Sequence, residues 1–499
     1  MSILPERAVM PPLGLLTVAA LCPPGWQLRL VDCAFEELMD QDLLWADLVL
    51  VSGMTMQRRM IHEVLGRARR LGRRTMIGGP HASNAHQELL PLADHVVVGE
   101  PDEIFGDIAY QLEQGTAQPL YEIAGKPDLS HSPLPRFDLL QMKRYGSMAI
   151  QFSRGCPYRC EFCDIVALYG RRPRTKHPEL ILAELNELYR LGWRRQVHLV
   201  DDNFIGNHRQ ALILVQQLQQ WQERHDYPFT FYTEASIDLA KRTELVQAMV
   251  RANFLHVFVG IESPSQEALR EIGKLQNLSD NPLQPVHDLL HSGLWVSAGF
   301  IAGFDSDGPD IFDRQAEFIE RGPIPWAMIG LLQISHKAPI HDRMQREARL
   351  LTDDGYADGF QTPNFRTKLP TATLLGGFGR MVKQIYTPDT FYDRAWRSLT
   401  AWRTSPMQRP AFHPLTITLR IVMRSIWQQG FRSNYRRAYW RFLLKILWRY
   451  SRDPLRFWMG WMLMISGHHM IRYAADIARQ ALQAAAANTA QTTAVVIPD

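Results

Sequence analysis

Apolar and polar positions along this chain of 499 residues follow two successive regimes and then change character. In the first, four short apolar runs have the length and branched-residue content of buried strands: Leu28–Asp32, Leu48–Ser52, Thr75–Gly79 and His95–Glu100. Between them, the Ile61–Leu71 stretch carries Ile61, Val64, Leu65 and Ala68 at helical spacing. Each run ends on small or acidic residues, as in a doubly wound sheet whose ligand crevice lies at the strands' carboxyl ends. Residues 101–145 read as a bridge, with Ser130–Asp138 as its proline-marked joint.

The second regime, from 148 to about 347, alternates strand-like and helical patterns six times. Strands are expected at 148–153, 196–201, 228–234, 255–261, 295–303 and 326–333. Helical patterns separate them, such as Glu179–Leu191 with Leu180, Ala183, Leu185 and Leu188. Six parallel strand–helix units make an open partial barrel, so the fold class is α/β. Acidic residues fall at the strand ends: Asp201, Asp202, Glu234, Glu262, Asp305 and Asp307. Residues 348–400 are irregular and then helical, with Thr371–Leu375 opening a helix that Gly376 and Gly377 interrupt. The Ala/Thr/Gln-rich tail from Ala481 to 499 reads as disordered.

Composition adds one asymmetry. With 46% hydrophobic and 21% charged residues the chain is globular, long enough for two or three domains. The net charge is only +4, but residues 401–480 hold fourteen Lys/Arg against two Asp/Glu, a local +12. Six of the thirteen tryptophans (Trp402, Trp427, Trp440, Trp448, Trp458 and Trp461) lie in that segment. Its apolar run, Phe457–Ile465, is too short to cross a bilayer. Tryptophan interleaved with arginine suits a peripheral membrane contact through 401–480. A helical cap packed on the barrel is the competing use of the same residues, and nucleic acid the weakest.

The chemistry centres on Cys156-Pro157-Tyr158-Arg159-Cys160-Glu161-Phe162-Cys163. Three thiols at this spacing fit one tight loop, and thiolates are what iron–sulfur clusters require. A four-iron cluster on three cysteines keeps one iron open to another ligand. Ala149–Gly155 before the loop alternates like a strand, which puts the thiols beyond a strand's carboxyl end. Zinc would normally want four protein ligands in C-x2-C pairs, and His177 is poorly spaced to be the fourth. Cys22 and Cys33 show no partner pattern, and no signal peptide is evident, which points to a reducing cytoplasm.

These features resemble the radical SAM enzymes, aromatic residue before the third cysteine included. The first segment resembles the cobalamin-binding domain that precedes many such cores, through Pro11–Leu15, Val51–Thr55, Gly78–His81 and Gly99–Pro101. Within that group the chain looks most like the hopanoid C-2 methylases. Ser153–Cys156, Tyr169–Lys176, Val200–Asn207, Thr233–Ser236, Gly260–Pro264 and Gly299–Asp307 carry the likeness.

The resemblance implies a Rossmann-like cobalamin-binding domain (1–125), a linker (126–145), a radical SAM partial (β/α)6 barrel (146–347) and a helical C-terminal region (348–480). It implies a 4Fe-4S cluster on Cys156, Cys160 and Cys163, and S-adenosylmethionine held near Phe162, Asp202, Glu234, Glu262 and Ser263. Cobalamin would lie against Ser52, Thr55, Gly78, Gly79 and Gly99. No histidine stands in Asp32-Cys33-Ala34 to ligate cobalt, and the domain's usual opening strand is missing. Ser335–Ile340 also departs from the relatives' Pro-Gly/Asn-Thr-type turn, which puts the substrate in question.

The expected activity is methylation of an unactivated carbon in a small molecule or lipid, with an electron donor of the flavodoxin or ferredoxin type. A cobalamin-dependent cyclase or rearranging enzyme shares the architecture and is the alternative. A non-catalytic lipid- or cluster-binding protein is the alternative of another class. A methylthiotransferase would bring further cysteines that are not seen here.

Overall fold

A computed structural model describes residues 3–351, 362–410 and 415–494. The first unit is a parallel sheet of β1 (Leu48–Ser52), β2 (Arg74–Gly78), β3 (His95–Val98) and β4 (Leu120–Glu122), in that order. Strand periodicity sends neighbouring residues to opposite faces. Thus Ile77 and Val96 join Ile61, Leu65, Ala82 and Leu89 on one side, while Met76 and Val97 join Phe105, Ile108 and Leu112 on the other.

Leu28–Asp32, expected as a strand, does not join this sheet. Its residues dock the segment instead: Asp32 accepts a hydrogen bond from the Tyr145 hydroxyl at 2.8 Å, and Leu30 and Phe35 pack on the barrel's core. The bridge supplies β4, a strand of three residues too short to be read from its pattern.

The second unit opens with β5 (Ser147–Ile150) and a small antiparallel hairpin, β6 (Ser153–Arg154) with β7 (Arg174–Thr175). Then come β8 (Gln196–Leu199), β9 (Thr230–Ala235), β10 (Phe254–Glu262), β11 (Trp295–Ala302) and β12 (Ala327–Leu331). β5 and β8 to β12 form one parallel six-stranded sheet in chain order. The edge strands β5 and β12 do not pair among the described residues, so the barrel is open. The register of β10 shifts between Gly260 and Glu262, and Glu262 adopts φ +67°. That left-handed backbone is rare outside glycine and aims the strand's last side chain away from the regular pleat.

The C-terminal part is helical: Thr371–Ile385, Pro388–Ala401, Leu415–Ser425 extended by a π-helical turn Ile426–Phe431, Arg436–Tyr450 and Pro454–Ala494. Two expectations are corrected here. Gly376 and Gly377 do not interrupt their helix. A side chain at Gly377 would stand 2.2 Å from the Phe312 ring, and one at Gly379 would stand 2.9 Å from Leu482, so the glycines let neighbours close in.

The tail is not disordered from Ala481. The last helix continues to Ala494, with Ala481 and Ala485 buried; residues 495–499 lie outside the described residues. Alanine combines the best helix propensity with the small size this close packing needs.

The tryptophans of 401–480 divide. Trp402 is fully buried and donates to the Gly293 carbonyl at 2.8 Å. Trp440, Trp458 and Trp461 pack against the core, while Trp427 and Trp448 are 59% and 85% exposed. Most of that composition is therefore cap. No helix among the described residues is long and apolar enough to cross a membrane.

Candidate active site

The cysteine loop begins where β6 ends. Gly155 turns the chain at φ +97°, and any side chain there would lie 2.8 Å from the Gly170 carbonyl. The loop is pinned from several sides. The Cys156 amide donates to Gly170 O at 3.2 Å and the Glu161 amide to Ile272 O at 2.9 Å. Arg343 forks onto both Glu161 oxygens at 2.7 and 2.9 Å. Asn203 Nδ2 stands 3.8 Å from Cys156 Sγ and 3.2 Å from Ser236 Oγ.

Burial pushes all three thiols up, Cys163 to about 12. Thiolates form here only beside strong positive charge, which iron supplies and solvent does not. Among the described residues the trio of His, Cys or acidic side chains with ligand atoms within 4.8 Å of one another is His62, His81 and Glu88. Three thiols on one loop are the donor set an iron–sulfur cluster takes.

The expected carboxylates separate into two kinds. Asp201 is a scaffold: it accepts from the Phe152 and Ser153 amides at 2.8 and 3.1 Å and from Ser153 Oγ at 2.8 Å. Asp202 has a single long contact, from the Gly155 amide at 3.4 Å, and burial raises its carboxyl to about 6. It is a partly buried acid with acceptor capacity to spare. Glu234 is half-exposed and accepts from His198 Nε2 at 2.7 Å; His198 stacks on Tyr232, with ring centroids 3.7 Å apart.

Glu262 is paired through Oε1 with the ammonium of Lys274, both nearly buried. Ser263 is buried, its hydroxyl accepting from the Ser265 amide at 3.1 Å. Phe162 packs against Phe304, centroids 6.4 Å apart, with Lys274 Nζ 5.9 Å from its ring. Lys274, His198 and Asn203 were missed in the sequence. A lysine twelve residues beyond Glu262 carries no local signal.

Across the crevice, Gly79 (φ +89°) and Gly99 (φ +98°) hold backbone that side chains would block. A Cβ at Gly79 would fall 2.4 Å from Ser52 Oγ, and one at Gly99 2.7 Å from Ile123 O. Gly78 ends β2 beside them, and Thr55 opens a short 3-10 turn after β1. Ser83 Oγ accepts from the Gly99 amide at 3.0 Å. His81 is buried with neither ring nitrogen partnered, a polar group awaiting one. This glycine-lined cradle fits a large ligand lying against backbone. Asp32 is already held by Tyr145 and the Ala34 amide, so its stretch offers no cobalt ligand.

Two contacts bind this cradle to the cysteine loop. Glu100 and Asp102 receive Arg154 at 2.8 and 2.9 Å, and Glu100 also receives Arg174 at 2.7 Å. Asp164, directly after Cys163, receives Asn84 Nδ2 at 2.8 Å and Ser335 Oγ at 2.9 Å.

Comparison with known proteins agrees with this layout. The B12 binding domain model matches residues 7–109, the radical SAM superfamily model 150–346, and a domain of unknown function, DUF4070, 338–483. An uncharacterized methyltransferase of Synechocystis is 37% identical over 95% of this chain and 88% of its own length. The hopanoid C-2 methylase of Rhodopseudomonas palustris is 35% identical over 95% of this chain and 89% of its own.

Among solved structures, the radical S-adenosylmethionine methyltransferase TsrM from Kitasatospora setae, with cobalamin and a [4Fe-4S] cluster bound, shares the fold. It covers 68% of this chain and 78% of that one, at TM-score 0.56 and 15% identity. The cobalamin-dependent radical enzyme OxsB does likewise at TM-score 0.54, 14% identity, over 90% and 77% of the two chains. With cradle, thiol loop and barrel in one order, and relatives matched nearly end to end, the chain belongs to the cobalamin-dependent radical SAM methylases.

Proposed function

We propose that this methylase acts on an unactivated carbon of a hopanoid or related polycyclic isoprenoid. The observation that carries the reading is the 35% identity to a hopanoid C-2 methylase over 95% of the chain. Cys156, Cys160 and Cys163 would hold the 4Fe-4S cluster; Ser52, Thr55, Gly78, Gly79 and Gly99 would cradle cobalamin. When bound, these groups with S-adenosylmethionine supply a hydrogen-abstracting radical and a transferable methyl group.

The chain's own residues do the placing. Asp202, with unused acceptor capacity, would take the methionyl ammonium of S-adenosylmethionine. Glu262 keeps its second oxygen for a ribose hydroxyl while Lys274 fixes the first. Ser263 and the Phe162 backbone would border the nucleoside. Glu234, held by His198 and facing the barrel's interior, would meet either S-adenosylmethionine or the substrate's polar end. The buried walls exclude water from a reactive radical. A flavodoxin- or ferredoxin-type donor would deliver electrons to the cluster, and the 401–480 region would rest on the membrane that holds the substrate.

Gene deletion followed by mass spectrometry of lipid extracts tests the reading. Loss of a species one methylene heavier than its parent is expected. An unchanged lipid profile with an altered water-soluble tetrapyrrole would instead favour the alternative, since a magnesium-protoporphyrin cyclase and bacteriochlorophyllide methyltransferases are more distant relatives, at 23% identity.

A further inference from the structure

The helix Leu415–Ser425 and its π-helical extension Ile426–Phe431 bury one face and carry a second, exposed apolar stripe. Their inward face, Ile421, Ser425 and Gln429, is buried and partly polar. Gln429 accepts from the Tyr392 hydroxyl at 3.2 Å and donates to Ser425 Oγ at 3.0 Å. Gly430 lies against the Trp440 indole, which donates to its carbonyl at 2.9 Å. Ile417 and Ile421 pack in a small apolar cluster with Ile3 and Ile465, and the outward face is apolar as well. Leu419, Met423, Trp427 and Phe431, four residues apart, are 54%, 68%, 59% and 59% exposed.

An α-helix advances every fourth residue by about 40° around its axis, so such a stripe drifts. The wider π turn sets back the last step, and the Trp427 and Phe431 rings end up neighbours, 6.2 Å between centroids. A continuous apolar stripe of this kind needs a non-aqueous partner.

Charge decides which. Arg420, Arg424, Arg432, Arg436 and Arg437 flank the stripe, and the sequence has no acidic residue between Asp393 and Asp453. A second copy of this face would set arginines against arginines. Lipid phosphates above an acyl layer answer both the charge and the apolar side chains. The next helix, Arg436–Tyr450, repeats the composition outward, with Leu444 and Trp448 60% and 85% exposed beside Arg441, Lys445 and Arg449.

We infer that the Leu419–Met423–Trp427–Phe431 stripe is the surface by which this enzyme docks on an anionic bilayer. The inference deepens the lipid-substrate reading by naming the surface that meets the membrane, and is tested separately from it.

The test uses the full-length reconstituted protein in flotation with vesicles of phosphatidylethanolamine and phosphatidylglycerol, against phosphatidylcholine alone. Wild type should float with the anionic vesicles and release as salt rises. The double variant Met423→Ser, Trp427→Ser should bind roughly tenfold or more weakly, with cluster iron and circular dichroism unchanged because both side chains face solvent. Wild type that ignores anionic vesicles, or binds them no better than the variant, overturns the inference. So does a wild-type dimer in light scattering that the variant makes monomeric, since the face then belongs to a second copy. Docking without any change in the deletion strain's lipids would leave this surface standing and remove the lipid substrate. Lost methyl-lipid without vesicle binding would do the reverse.

Discussion

Arg154, two residues before Cys156, donates to Glu100, two residues past β3, at 2.8 Å, and both side chains are nearly buried. Glu100 also receives Arg174, so one carboxylate answers two guanidiniums at the seam between the cradle and the thiol loop. Its neighbours hold Arg154 protonated well above the ordinary range, despite burial. Glu100→Ala leaves Arg154 with Asp102 alone and takes from Arg174 its carboxylate, and breaking a buried pair from one side costs about 3–5 kcal/mol. A lower melting temperature and an early transition of the N-terminal unit are expected in calorimetry. A melting curve superimposable on wild type would refute the seam.

The thiols should be separable by iron content. Cys163→Ser is expected to lose the cluster and all turnover, measured by iron and sulfide counting and electron paramagnetic resonance after anaerobic reconstitution. Cys22, whose thiol donates to the Val18 carbonyl at 3.4 Å in the first unit, is the control: Cys22→Ser should keep full iron. Zinc in place of a reducible cluster would sink the assignment.

His256 sets an acid limit. Its ring is buried between strands, hydrogen-bonded to Ser297 at 2.7 Å, and burial lowers it to about 3 from 6.5. Between those values the unfolded chain binds the proton that the native one refuses. Its contribution is therefore complete above pH 6.5 and lost as pH falls toward 3. Asp201 and Asp202, raised by burial to about 7 and about 6, act in the opposite sense, the native state holding protons the unfolded chain has released. In urea midpoints taken from pH 7 downward, His256→Gln should fall less steeply than wild type. Parallel curves would show that this imidazole does not resist protonation.

Glycine substitutions distinguish the helix packing from simple propensity. Gly377→Ala gains about 1 kcal/mol of helix propensity but meets Phe312 at 2.2 Å, and overpacking costs about 1–3 kcal/mol. Net destabilisation is expected by chemical denaturation. Gly106→Ala, with nothing within 4 Å, should be neutral or stabilising by up to about 1 kcal/mol.

What the sequence made legible follows from periodicity. The six barrel strands and the thiol loop are local patterns, and each lies where its pattern put it. Leu28–Asp32 misled because alternation marks a half-buried extended segment without saying what covers it; here Tyr145 and the barrel's core do, not a strand. The glycines at 376 and 377 and the alanine tail misled for a shared reason. Their smallness reads as weakness in one helix and becomes closeness when two are present. The tryptophan count could not separate Trp402, a core residue, from Trp448, a surface one, since exposure is a tertiary property. Lys274 reaches Glu262 only because β10 bulges at its end.

Asp164 joins three stretches of chain: its own loop after Cys163, Asn84 of the N-terminal unit and Ser335 beyond the last barrel strand. A ribosome releases these stretches in order, and Ser335 arrives about 170 residues after Asp164. The cysteine loop therefore lacks this latch, and the later Arg343 fork onto Glu161, until every barrel strand has been made. A chain stopped short of β12 would present its thiols with both contacts missing.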